Sequence, residues 1–226
     1  GVARSINYYP INDELAEEGT VSLALGLGKY IVDGGLTLRV CPYHPDKVLQ
    51  TSEMEMALRE TQTRFYALDL KNLGQNFSLD DGFNLLKLPV KEAENDGALT
   101  YIASTYDPYD MVIRDGIYPG GRKVITFANI LQHDVFPLAR ILQLAQKYGQ
   151  GEMRRPVEIE FAVNLDAKEK KGVFYLLQIR PMVDMKADLN EDLNTIPEDQ
   201  LLLKSVNSLG QGIMDDIQDV IYVKTD

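Results

Sequence analysis

Soft metal ligands and redox-active sulfur are almost missing from this chain. Its 226 residues contain one cysteine, Cys41, and two histidines, His44 and His133. A lone cysteine excludes an internal disulfide, and three soft ligands are too few for a four-coordinate structural zinc site. Any metal is therefore expected to be a hard cation held by oxygen. No run of about 18 apolar residues occurs, and no basic stretch followed by an apolar one opens the sequence, so neither a membrane span nor a secretory signal is expected. The expected compartment is the cytoplasm. Positive charge is scarce too: 23 basic against 34 acidic residues give a net charge of −11, which repels nucleic acid and acidic membranes over the surface as a whole. A local phosphate pocket stays compatible with that balance, because one or two well-placed arginines bind an anion inside an acidic protein.

The length, with 45% hydrophobic content, suits one substantial soluble domain or two small ones. Residues 2–6 (VARSI) read as a short strand with no preceding turn or cap, as though the chain entered in mid-strand, and the expectation is a piece of a larger protein. Residues 17–34 (EEGTVSLALGLGKYIVDG) read as a glycine loop opening a short helix that stops at Gly34 and Gly35. Strands are expected at 36–41, 64–70, 83–88, 99–105 and 123–127, and helices at 53–62 and 90–95. The Pro- and Gly-rich YDPYDMVIRDGIYPGGR reads as a connection. The clearest helix covers 135–148, where Leu138, Ile141, Leu142, Ala145 and Tyr148 recur along one face. Asp134 can cap its start, Pro137 fits the first turn, and Gly149 suits a left-handed residue just past the end.

The segment PVEIEFAVNLDAKEKKGVFYLLQIRPM holds two alternating stretches around a charged loop ending at Gly172, the pattern of a β-hairpin. Side chains alternate along a strand, so Glu158, Glu160 and Ala162 share one face of the first stretch. Regular alternation in the second stretch puts Phe174, Leu176, Gln178 and Arg180 on one face, opposite Tyr175, Leu177 and Ile179. If the register sets the polar ends side by side, two carboxylates, an amide and a guanidinium meet on one surface. Such a set suits a magnesium-bound nucleotide triphosphate, with hard oxygens for the cation and an arginine fork for phosphate. Phosphoryl transfer needs little else, since it rests on positioning and charge stabilisation. The same pattern also fits a solvent-facing strand pair with an ordinary ion pair worth at most about 1 kcal/mol.

The strings VEIEFAV and FYLLQIRPM resemble the paired strands that close the ATP-grasp nucleotide-binding domain of the phosphoenolpyruvate synthase and pyruvate phosphate dikinase family. GLGKYIVDGG resembles the Gly-Leu-Gly-Glu-x-Val-Val-x-Gly segment of the same domain. The resemblance implies an α+β fold, an ATP-grasp-like lobe with a mixed or antiparallel sheet and helices packed against it. It places a partial ATP-grasp domain at 1–183 and leaves 184–226 as an acidic linker and C-terminal extension. It implies Glu160 and Gln178 as magnesium contacts, with Glu160 and Arg180 in catalytic roles. Glu158, Glu160, Gln178, Arg180, Gly26 and Gly28 would contact the nucleotide. The cofactors implied are ATP and Mg2+.

The implied activity is ATP-dependent phosphorylation of pyruvate to phosphoenolpyruvate through a phosphohistidine. The pyruvate-binding and phosphohistidine domains would lie elsewhere in the full-length chain, and this piece alone would be nearly inactive. The alternatives are a nucleotide-sensing or scaffolding module without transfer activity, and a related dikinase with another acceptor. Two positions depart from the family: Lys29 follows Gly28 where Glu is usual, and Arg4 stands where many relatives carry Phe. Neither receives a role from the resemblance. His133 and His44 read as surface or turn residues, Met54 and Met56 as packing groups, and Tyr101, Tyr106 and Tyr109 as parts of a half-buried strand and turn. Strands are also expected at 201–206 and 220–223.

Overall fold

A segment with Val157, Ile159, Phe161 and Val163 at alternate positions, and Glu158, Glu160, Ala162 and Asn164 between them, can bury only one of its faces. It does so as the longest hairpin of the chain. In the computed structural model, which describes residues 1–70, 82, 84–166, 171–182, 196–204 and 216–221, the elements run β1 (Val2–Arg4), β2 (Thr20–Leu23), α1 (Lys29–Val32), β3 (Leu38–Val40), α2 (Met54–Glu60), β4 (Arg64–Leu68) and β5 (Leu85–Pro89). They continue with β6 (Ala103–Asp107), β7 (Val112–Asp115), β8 (Arg122–Ile125), α3 (Ala128–Leu131), α4 (Leu138–Met153), β9 (Val157–Asp166) and β10 (Lys171–Pro181). Two compact units result, Gly1–Met182 and Val183–Asp226.

The first unit is α+β, and each of its strand pairs is antiparallel. A five-stranded sheet has the order β10-β9-β1-β2-β3, and smaller sheets are β4-β5 and β7-β6-β8. One face of the large sheet contributes Ala3, Val21, Leu23, Leu38, Val40, Val157 and Ile159 to the core, where Leu138 and Leu142 of α4 join them. Leu142 and Ile159 are fully buried, and truncating such a side chain to Ala costs about 2–5 kcal/mol. The helical layer thus covers one face of the sheet. The other face, carrying Glu158 and Glu160, is left to do something else.

Several expected boundaries move, for tertiary reasons. The principal helix starts at Leu138 with Pro137 before it and runs through Gly149 to Met153, ending at Arg154, whose φ of 52° is left-handed. Gly149 is not a terminator but a close-approach point: a Cβ there would lie 2.5 Å from Cδ1 of Ile179 and 3.3 Å from Cγ2 of Val157. Its missing side chain lets α4 lie on β9 and β10. Asp134 makes no side-chain cap, and Tyr148 is exposed, because the buried stripe continues through Gln146 rather than through Tyr148. Residues 20–23, read within a glycine loop, form β2, because β1 and β3 supply hydrogen-bond partners on both sides. The supposed connection contains β7, paired with β6.

Residues 90–94 form a 3-10 turn rather than an α-helix, and residues 99–102 precede β6 as turns. Gly172 lies inside β10 against Phe136. In the second unit, a 3-10 turn spans Glu198–Gln200. Residues 201–204 and 220–221 are not strands, contrary to expectation, and 205–206 and 222–223 lie outside the described residues, as does Phe83. Among the described residues no helix is long and apolar enough to cross a membrane.

Candidate functional site

Regular alternation along β10 would have turned Gln178 and Arg180 to the same side as Phe174 and Leu176. A β-bulge at Leu177 prevents it. Phe174 pairs with Val163 and Leu176 with Phe161, on the core side, whereas Gln178 pairs with Glu160 and Arg180 with Glu158. One extra residue in one strand reverses the facing of everything after it. The expected face-sharing of Phe174 and Leu176 with Gln178 and Arg180 is therefore wrong. Phe174 instead stacks on Phe161, with ring centroids 5.2 Å apart. The bulge sets Gln178 and Arg180 beside the two glutamates, so all four meet on the sheet face away from α4.

A fifth member joins them. β1 lies on the other side of β9, with Arg4 opposite Glu158 and Val2 opposite Glu160. The Glu158 carboxylate sits between two guanidiniums. Its Oε2 accepts a hydrogen bond from Nε of Arg4 at 2.7 Å, and its Oε1 accepts from Nε of Arg180 at 3.0 Å and also from Nη2 of Arg180. The Glu158 side chain is only 11% exposed, against 45% for Arg4 and 57% for Arg180. Burial pushes its pKa up, but the hydrogen bonds and charges of Arg180 and Arg4 together outweigh burial and hold the carboxyl below its ordinary value. The same bonds raise Arg180. Arg4–Glu158–Arg180 is thus a fixed unit of net charge +1, with Glu160 and Gln178 next to it as an adjacent cross-strand pair.

The donor chemistry here is that of hard oxygen and guanidinium. Among the described residues no group of three or more His, Cys, Asp or Glu could hold a metal ion. A protein-only metal cage is therefore not what these strands build. One carboxylate and one amide side by side fit the need of Mg2+, which keeps several waters and takes its remaining oxygens from a phosphate substrate. The face is open. The larger cavities are lined by other residues: one of about 510 Å3 includes Arg39, Lys47 and Gln50, and one of about 580 Å3 lies near the end of α4.

Gly26 and Gly28 are not part of this cluster. They sit on the loop after β2, with β1 between β2 and β9. The loop is pinned to the β4 region, as the Leu25 amide donates to Oε1 of Gln62 and the Leu27 amide to the Tyr66 carbonyl. Gly26 has φ 89°, and a Cβ there would stand 2.7 Å from the Tyr66 carbonyl oxygen, so local geometry alone requires glycine. Gly28 has open space around it. Lys29 pairs with Asp33 one turn on at 3.0 Å.

Arg4, noted from the sequence only as a departure from the family pattern, joins the cluster through Glu158, and Arg39 is the residue of this face that the sequence did not single out. Arg39 stands opposite Ser22 on the same sheet face. Its guanidinium bonds Thr20 Oγ1, Asn7 Oδ1 and the Tyr9 carbonyl, which ties it to the fold. Arg4 reaches the cluster because β1 pairs with β9, a neighbour relation that local sequence does not carry. His133 pairs with Asp115 at 3.2 Å and His44 with Glu18 at 3.1 Å, both as local structure. Comparison of the chain with protein-family models, with curated proteins and with solved structures finds no match.

Proposed function

We propose that residues 1–182 form the Mg-ATP-binding lobe of an ATP-dependent phosphotransferase with an ATP-grasp architecture, resembling phosphoenolpyruvate synthase and pyruvate phosphate dikinase. The observation that carries this reading is the register of β10 against β9: Gln178 beside Glu160, and Arg180 beside Glu158. Glu160 and Gln178 supply the oxygens for Mg2+, whose part when bound is to neutralise phosphate charge. Arg180 binds the transferred phosphoryl group through its fork, and it is more exposed than the glutamate it rests on, hence open to a ligand. Glu158 orients Arg180 and Arg4 rather than meeting phosphate itself, since both its oxygens are engaged by guanidinium groups. Pyruvate and the phosphohistidine domain belong to regions beyond this chain, and the net chemistry in this reading is formation of phosphoenolpyruvate.

Isothermal titration of the chain with Mg-ATP tests the binding step. Saturable binding is expected, weakened at least about tenfold by Arg180→Ala, the loss of one charge-assisted contact. Equal affinity of the two proteins would remove Arg180 from the site. A second reading, a nucleotide-sensing module without transfer, draws on Lys29, which stands where an acidic residue is usual in the family and is paired with Asp33 in α1. Turnover by the full-length protein separates the two, because Arg180→Ala abolishes turnover only if the arginine serves transfer.

A further inference from the structure

On the helical side of the sheet, where the last turn of α4 hands the chain to β9, lies a cavity of about 580 Å3. Two buried polar residues line it and are committed to the fold. Oγ of Ser5 accepts the Val157 amide hydrogen at 2.8 Å, and Nε2 of Gln146 donates to the Arg4 carbonyl at 2.9 Å. Around them stand three exposed cations, Lys147, Arg154 and Arg155, with a single acid, Glu17. The lining therefore carries three positive charges against one negative, in a chain whose net charge is −11. Among the described residues none of these three cations is held in an ion pair or side-chain hydrogen bond. Several cations elsewhere do have carboxylate partners: Arg4 and Arg180 have Glu158, Lys47 has Asp13, Arg59 has Glu60 and Arg114 has Asp110.

Basic residues near a helix C-terminus complement the helix dipole. That accounts for charge of this sign at the end of α4, but not for a cavity shared by three cations. We propose that this cavity binds a small, multiply charged phosphoryl anion, held by Arg154, Arg155 and Lys147. Its volume falls in the range of small-ligand sites, about 300–1,000 Å3, and paired guanidinium groups match phosphoryl oxygens. Extended anions such as nucleic acid or a membrane surface are disfavoured by the chain's overall negative charge. The site is separate from the Glu158–Arg180 face: Arg4 is gripped through its backbone by Gln146 but sends its guanidinium to Glu158 on the opposite side of the sheet.

Calorimetric titration of the chain with pyrophosphate, without magnesium and at about physiological ionic strength, tests the assignment. Asn tolerates the left-handed backbone at position 154, so Arg154→Asn with Arg155→Gln removes both charges without adding strain there. Saturable one-to-one binding is expected, weakened at least tenfold in that double variant and strengthened several-fold by Glu17→Gln. Arg180→Gln should leave it unchanged. Absence of saturable binding overturns the proposal. So does an affinity indifferent to the double variant and to Glu17→Gln, which would leave the cations only their role toward the helix dipole. Binding lost with Arg180→Gln would place the anion on the other face, and would equally overturn it.

Discussion

Replacing Glu158 by Gln keeps the side chain's shape and removes its charge, leaving two guanidiniums facing one neutral amide. Three charge-assisted hydrogen bonds meet on Glu158, from Nε of Arg4 and from Nε and Nη2 of Arg180. At an effective dielectric constant of about 20, each charge pair at roughly 4 Å would attract by about 4 kcal/mol. Desolvation and the exposure of both arginines, about half of each side chain, cut the net worth of such a pair to about 1 kcal/mol or less. The amide retains one accepting oxygen and turns N–H donors toward the other guanidinium. A loss of about 1–2 kcal/mol is therefore expected for Glu158→Gln, read as a lower urea midpoint at pH 7.5 with an unchanged slope.

The pH dependence gives a second, independent handle. The folded-state pKa of Glu158 is depressed below its ordinary value of 4.5. Its stabilising contribution is then fully present above that ordinary value and is lost as pH falls through the lower folded-state value. The gap between wild type and Glu158→Gln should stay level from about pH 6 to 8 and close in acid below about pH 4. Equal midpoints at pH 7.5 would refute this account of the cluster. A gap that persists undiminished at low pH would refute it as well, since the difference would then come from packing and not from charge.

Gly26→Ala should cost roughly 2–3 kcal/mol, because it combines a left-handed backbone with a Cβ pressed on the Tyr66 carbonyl. Gly28→Ala, with φ −56° and open space around it, should change stability by under about 1 kcal/mol. Urea midpoints check both, and a loss of Mg-ATP affinity in Gly28→Ala with stability intact would assign that glycine to the ligand. Cys41 is buried, which pushes its thiol from 9.0 up to about 11. Its reaction with an aromatic disulfide at pH 8 should be at least about 100-fold slower in the native chain than in urea, from the thiolate fraction alone. Native labelling as fast as in urea would show the thiol to be accessible.

Much of the site was legible in the primary structure because a strand's period is two. Glu158 and Glu160 had to share a face once Val157, Ile159 and Phe161 were buried on the other. The same rule applied to β10 misplaced Phe174 and Leu176 relative to Gln178 and Arg180, since a bulge leaves no mark that alternation can read. Gly149 looked like a helix stop because glycine commonly is one. Only the packing of α4 on Ile179 and Val157 shows that it is a contact surface instead. β2 and β7 escaped detection because short strands are held by partners distant in sequence, and local composition is silent about partners.

What the amino-acid order by itself determined is the hairpin, the buried face of its first strand, the helix before it, and the residue types offered to a ligand. These follow from periodicity and side-chain chemistry, which are local. What tertiary structure alone decided is the register that sets Gln178 beside Glu160, the arrival of Arg4 from the far end of the chain to share Glu158, and the gathering of Lys147, Arg154 and Arg155 around one cavity. Those depend on which strands become neighbours. That outcome is settled by burying one common core against the loss of chain entropy, and no single segment encodes it.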